Sequence, residues 1–339
     1  MVRTLTSLSH DEVNLLNIGL MVASCLAAFS MPFELFLIAY AVLGPLHYLT
    51  EISWLHTRRY FTNGRNDYVV LVGLCIGVGI LKHVALGVDA AGFATAIVVG
   101  AFVAAFAFTF LTSTWAKAAA VVAGLAVGHS LSGQEATRII FITFIPTIIH
   151  VYVFTAAFIL YGALKGRSAT GIASLGVFAI CTASFFVLGD KIGSHALSPY
   201  VAASYQSFAE LNVKLAAWLG YAGIDALDNV LYSSTGVMLM RFIAFSYTYH
   251  YLNWFSKTSI IQWHKIPKAW AVTNVALWLA SLAIYAYDYR AGLLTLFSLS
   301  FLHVFLEFPL NHRSFQGIAQ ELVALVRSPA TVHPRPIRR

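Results

Sequence analysis

Apolar residues run along this chain in blocks of about 20, each closed by a few polar, charged, glycine or proline positions. At 1.5 Å per residue, a helix of that length spans a hydrocarbon core of about 30 Å. Ten blocks can be drawn: 14–31, 33–54, 67–87, 91–112, 116–131, 138–162, 170–189, 235–256, 269–287 and 291–310, the fifth being the shortest. They predict an all-α integral membrane protein, a polytopic bundle of about ten transmembrane helices in a single domain over 1–327. Residues 328–339, with Pro329, Pro334 and Pro336 among basic residues, read as a disordered tail. The first block follows Asp11 and Glu12 without a basic leader, and reads as a span rather than a cleaved signal.

Composition agrees with the pattern. Hydrophobic residues make up 59% of the chain and charged residues 10%, against roughly 25% charged in a soluble domain. The net charge of +7 is dispersed over short loops and the tail, which argues against a nucleic-acid partner and for membrane topology. Loops after even-numbered blocks carry Arg58, Arg59 and Arg65, then Lys117, Lys165 and Arg167, Lys257, Lys265 and Lys268, and Arg313. Loops after odd-numbered blocks carry Asp89, Asp190, Asp225, Asp228 and Asp288. The positive-inside rule then predicts that both termini are cytoplasmic. The long loop 190–234 lies on the other side, and its amphipathic stretch Tyr200 to Tyr221 is expected to lie along the lipid interface. Cys25, Cys75 and Cys181 are isolated within apolar blocks and read as small core residues without a chemical role.

Two blocks end alike. Residues 46–58 read LHYLTEISWLHTR and residues 302–313 read LHVFLEFPLNHR, so L-H-x3-E-x4-H recurs about 250 residues apart at the same cytoplasmic depth. Positions i and i+4 share a helix face, so His47 with Glu51 and His303 with Glu307 can each present an imidazole and a carboxylate to one metal. His56 and His312 lie nine residues after the first histidine, half a turn round an ideal helix, and join the cluster only where the helix ends or bends. Pro309 supplies a bend in the second copy, and the first copy has no such breaker. His150 and His250 fall at comparable depth in the sixth and eighth blocks, and His264 follows in the next loop.

The candidate metal-binding set is therefore His47, Glu51, His56, His150, His250, His264, His303, Glu307 and His312. Such a set suffices for two metal ions with positions left open for oxygen or substrate. Ionisable groups at the centre of a span cost roughly 2.5–3.5 kcal/mol each on insertion scales, so they persist where a partner or a metal compensates. The absence of thiolates favours two iron ions, with zinc, manganese or copper as alternatives. The plainer reading, two Glu–His hydrogen bonds that tie helices together, must account for the same spacing twice.

Other polar residues have simpler expectations. His83, His129 and His195 read as helix-to-helix hydrogen-bonding residues, and His10 and His333 as incidental. Arg241 is expected to snorkel toward the non-cytoplasmic interface. Tyr247, Tyr249, Tyr251 and Trp254 read as interfacial anchors, with a substrate channel as the alternative, and Asn253 as a partner for His250 or a neighbouring ligand.

The regions 46–58, 249–264 and 302–313 resemble the membrane-bound histidine-rich di-iron enzymes, the fatty-acid desaturase and alkane hydroxylase class, although Glu51 and Glu307 stand where that class has histidines. The resemblance implies an oxidoreductase that uses O2 to hydroxylate, desaturate or cleave a lipophilic substrate. Electrons would come from a separate electron-donor protein, for which Arg58, Arg59 and Lys257 offer a basic surface. A polyene-cleaving oxygenase of the carotenoid type would use the same site. A metal-ion or proton transporter would also carry intramembrane His and Glu, but its polar residues would continue through the bilayer.

Overall fold

The computed structural model describes residues 8–83, 90–189, 191–193, 196–262 and 264–327, apart from the side chains of 82 and 83. Asp89, Asp190, His195, His333, the side chain of His83 and the expected tail over 328–339 lie outside the described residues. The described chain is helical, without strands, and each of the ten apolar blocks falls on a long helix: α1 His10–Ser30, α2 Pro32–Thr57, α3 Asp67–His83, α4 Ala90–Phe110, α5 Thr114–Leu131, α6 Glu135–Gly166, α7 Ala169–Leu188, α8 Ser234–Ser256, α9 Lys268–Tyr287 and α10 Tyr289–Arg327.

Seven of these, α1, α2, α4, α6, α7, α9 and α10, are long and apolar enough to cross a membrane. The other three of the ten expected spans fall short of that measure. The apolar stretch of α3 covers only Asp67–Leu81. Helix α5 carries Lys117, whose ammonium pairs with Asp67 at 2.6 Å. Helix α8 is rich in Ser, Thr, Tyr, His and Asn, yet it is buried along nearly all its length against α1, α2, α6 and α7. Its composition is set by protein on every side, where polar groups find partners.

Small residues bring α4 and α5 together. A Cβ on Gly124 would meet Val103 Cβ at 2.8 Å and one on Gly128 would meet Ala96 Cα at 2.8 Å, so this G-x3-G face admits close backbone approach. Helices α2 and α6 are not regular α-helices throughout. Ala39–Leu43 in α2 and Ile139–Phe154 in α6 are π-helical. Pro45 and Pro146 lack the N–H that an α-helical ladder needs, and wide turns accommodate the gap. Carbonyls in this part of α2 are served from outside: Trp278 Nε1 donates to Val42 O at 2.8 Å, and the Tyr289 hydroxyl donates to Leu37 O at 3.0 Å. In lipid there is no water to do this, so neighbouring helices must.

The loop after α7 departs from expectation. Its helices Pro199–Tyr205 and Ala209–Trp218 pack into the bundle against α2 and α8, with Tyr205, Leu211, Asn212 and Leu215 buried. The apolar face predicted to meet lipid meets Phe33 and Phe36 instead, both edge-on to the Tyr205 ring. Arg241 does not snorkel. It is 1% exposed, and its guanidinium donates to the carbonyls of Gly189, of Ile192 at 2.9 Å and of Gly193 at 2.9 Å, while lying over the Phe29 ring. The end of α7 leaves carbonyls without helical partners, and a buried cation with several donors satisfies them. Arg241→Gln should therefore lower stability in detergent by about 2–4 kcal/mol, read as a drop in melting temperature, with Arg241→Lys losing less because the charge remains.

Candidate metal centre

Four helices deliver the central residues. His47 and Glu51 lie on α2 beyond its π turn, His150 lies in the π-helical stretch of α6, His250 on α8, and His303 and Glu307 on α10. The six side chains are buried at the seam between two apolar clusters. Tyr48, Val151 and Tyr251 belong to one, and Trp254, Val304 and Phe305 to the other. This placement excludes water from the polar atoms and makes each unmet valence costly.

His47 Nε2 lies 3.1 Å from Glu51 Oε2, as the i,i+4 spacing predicts, and 3.1 Å from His250 Nε2. On α10 the expected same-helix contact is replaced. Glu307 Oε2 meets His150 Nδ1 at 3.0 Å, while His303 Nε2 faces His150 Nε2 at 3.1 Å. The two copies of the motif are therefore used differently, because α6 inserts His150 beside Glu307. Donor atoms of His47, His150 and His250 lie within 4.8 Å of one another, and so do those of His47, Glu51 and His303. His47 belongs to both groups, which joins them into one cluster.

The remaining three candidates lie elsewhere. Helix α2 continues to Thr57, so His56 faces away from His47; it is exposed, stacks on Trp270 at 4.9 Å and contacts the Tyr60 hydroxyl at 3.2 Å. Burial pushes the Tyr60 phenol up to about 12, so it stays protonated beside His56. Pro309 does not end α10, which runs on to Arg327 and carries His312 to the opposite face. There its Nε2 lies 3.1 Å from Phe102 O, and its ring packs on Phe102 and Phe106. His264 is exposed in the loop before α9 and joins neither group. The rule of half a turn per nine residues holds for both motif copies.

Several neighbours were not predicted. Thr155 Oγ1 lies 2.8 Å from His250 Nδ1 and fixes that ring, the part expected of Asn253, which instead accepts from the Tyr249 hydroxyl at 3.4 Å. The Tyr48 ring stacks on His303 at 4.3 Å, and its hydroxyl lies 3.1 Å from that of Tyr251. Trp254 packs edge-on to His47 and donates to Thr50 Oγ1 at 3.0 Å. Apart from the i,i+4 pair Tyr249–Asn253, none of these pairings has a local spacing rule. Asn311 has one, standing four residues after Glu307 as Glu307 stands after His303. It is 2% exposed, and neither of its amide atoms has a partner among the described residues. Tyr247 and Tyr251 are buried rather than interfacial, and both line a cavity of about 540 Å³ that also touches Tyr48, His150 and His303.

Comparison with protein-family models, with curated proteins and with solved structures gives no match. The chemistry of the donor set fits metal. Two carboxylates and four imidazoles share a dry volume in which, among the described residues, Glu51 and Glu307 have no Lys or Arg partner and His47 Nδ1 has no hydrogen-bond partner. An uncompensated buried carboxylate costs several kcal/mol. Imidazole pairs 3.1 Å apart are close to the edge, roughly 3.3 Å, of a tetrahedral site with bonds of about 2.0 Å. Added Zn²⁺ or Fe²⁺ should raise the melting temperature of chelator-treated protein, and H47Q, H150Q, H250Q and H303Q should each weaken that rise. H56Q and H312Q should leave it unchanged; loss of the rise in either variant would return that histidine to the site.

Proposed function

We propose that this chain is a membrane-embedded, metal-dependent oxidoreductase that uses O2 to hydroxylate, desaturate or cleave a lipophilic substrate at the His47–Glu51–His150–His250–His303–Glu307 cluster. The observation that carries this reading is the juxtaposition of a fully buried His/Glu cluster with a cavity lined largely by aromatic and aliphatic side chains. A structural hydrogen-bond network would need no such cavity. Mixed imidazole and carboxylate donors without thiolate favour a pair of iron ions, and the positive-inside charge pattern favours termini on the cytoplasmic side.

When bound, the metal pair would supply dioxygen activation. The chain's own residues have three roles. Glu51 and Glu307 offset the metal charge and hold His47 and His150 in orientation. Thr155 holds the ring of His250 by engaging Nδ1, which leaves Nε2 to face the site. Tyr48, Tyr251 and Trp254 pack around the imidazoles and exclude water from the substrate end of the cluster. The cavity would bring a C–H bond or a double bond beside His150 and His303. Arg58 and Arg59, both exposed at the end of α2, would offer a docking surface to an electron-donor protein.

Metal analysis of protein expressed with ample iron should find about two irons per chain, lost in a Glu51→Gln, Glu307→Gln double variant of equal melting temperature in its metal-free form. Reductant-dependent oxygen consumption should then appear with lipid extracts, and product analysis separates hydroxylation or desaturation from cleavage of a polyene. Absence of bound metal after iron-replete expression would overturn the reading and return the cluster to a structural or transport role.

A further inference from the structure

The cavity is not uniform along its length. Its wall includes His150, His303 and Tyr48, and also the polar residues Thr143, Glu210, Lys214 and Arg290, of which Arg290 lies at the start of α10 and His303 well along it. On α10 the lining runs as a stripe from Arg290 through Leu293, Phe297 and Ser300 to His303, so a single helix measures the chamber. Thirteen residues at 1.5 Å each place the polar end about 20 Å from the histidines, the reach of an extended chain of roughly 16 carbons. Between the ends, Leu293, Phe297, Phe301 and Tyr247 give an apolar and aromatic wall.

Charge at the far end is unbalanced. Lys214 Nζ pairs with Glu210 Oε1 at 2.6 Å and donates to Thr143 Oγ1 at 3.3 Å, so its charge is already met. Arg290 has no ion-pair partner among the described residues, and with Glu210 it is exposed, which sets this end at the protein surface. A chamber with one unmet guanidinium at its mouth, a greasy barrel about 20 Å deep and a His/Glu cluster at its base matches a ligand with one charge, one tail and a reactive far end.

We infer that Arg290 forms an anion subsite that holds the acidic end group of a single-tailed amphiphile, with the tail inserted toward His150 and His303. The inference rests on the proposed reaction centre for its purpose, but not for its binding test. It places the head group at the end of the bundle opposite Arg58 and Arg313, so those basic residues take no part in substrate recognition. It also implies that reaction occurs deep in the tail, far from the acid group, because the head is anchored a full chain length from the histidines. The guanidinium suits the task, since its planar fork engages a carboxylate through two parallel hydrogen bonds.

The test is photolabelling of the purified full-length protein with two palmitic acid analogues, one with a diazirine near the methyl end and one with it beside the carboxylate, followed by peptide mapping. The first should label around Tyr48, Val151 or Tyr251, and the second around Ala209–Trp218 or the first turn of α10. Arg290→Gln should lower labelling by both acids about five-fold or more, and Arg290→Lys should restore part of it. The methyl esters should label wild type about as weakly as the acids label the Gln variant, which tests the charge requirement without any substitution. Reversed labelling, labelling confined to outward-facing residues such as Ile180 and Leu279, or equal labelling by acid and ester would overturn the inference. Normal iron content with such a result leaves the reaction centre standing, whereas correct labelling of a protein that binds no metal sinks the centre and keeps the subsite.

Discussion

Two carboxylates held dry among four imidazoles are the constraint around which the bundle is arranged. Neither Glu51 nor Glu307 has a Lys or Arg partner among the described residues, and both are 2% exposed. Their contacts are histidines from two helices, α2 and α6, that must arrive at fixed depth and rotation. Such a cluster tolerates little slippage, because a shift of one residue turns a helix by 100° and removes its donor from the site. The π turns of α2 and α6 reset that rotation just where Pro45 and Pro146 would have broken an ordinary ladder. Irregular backbone at this depth survives because Trp278 and Tyr289 supply donors to the carbonyls it frees.

Helix α8 is the second consequence. A helix that carries His250, Arg241 and the tyrosines at 247, 249 and 251 is poorly suited to lipid, and the structure wraps it in other helices. Several of its polar groups have partners inside the protein. Arg241 closes the end of α7, Tyr249 reaches Asn17 on α1 at 3.1 Å, and His250 meets Thr155 on α6. The same burial lines the chamber beside it largely with apolar and aromatic side chains. Cluster and chamber are thus parts of one packing arrangement, with His150 and His303 shared between them and Tyr48 and Tyr251 beside them in the chamber wall.

Local periodicity carried much of this in advance. Blocks of about 20 apolar residues follow from the thickness of a bilayer, and all ten appear as helices, although seven meet the length and apolarity of a span. The i,i+4 pairing of His47 with Glu51 follows from helix geometry alone. So does the exclusion of His56 and His312, since nine residues is half a turn whether or not Pro309 intervenes. Pro309 does not end α10, because a long helix packed along much of its length continues through one missing hydrogen bond. The amphipathic stretch after α7 was legible as amphipathic, but not as packed on protein, because periodicity shows an apolar face without showing what covers it.

What the amino-acid sequence determined by itself was the helical class, the apolar lengths, and which His and Glu share a helix face, all of which depend on contacts within about one turn. Tertiary structure alone decided that Glu307 serves His150 rather than His303, that Thr155 holds His250, that Arg241 caps α7, and that a chamber runs from Arg290 to the histidines. Those pairings join residues from different helices, separated by tens to hundreds of positions. Their geometry depends on how neighbouring helices rotate and slide against one another, and no local spacing encodes that choice.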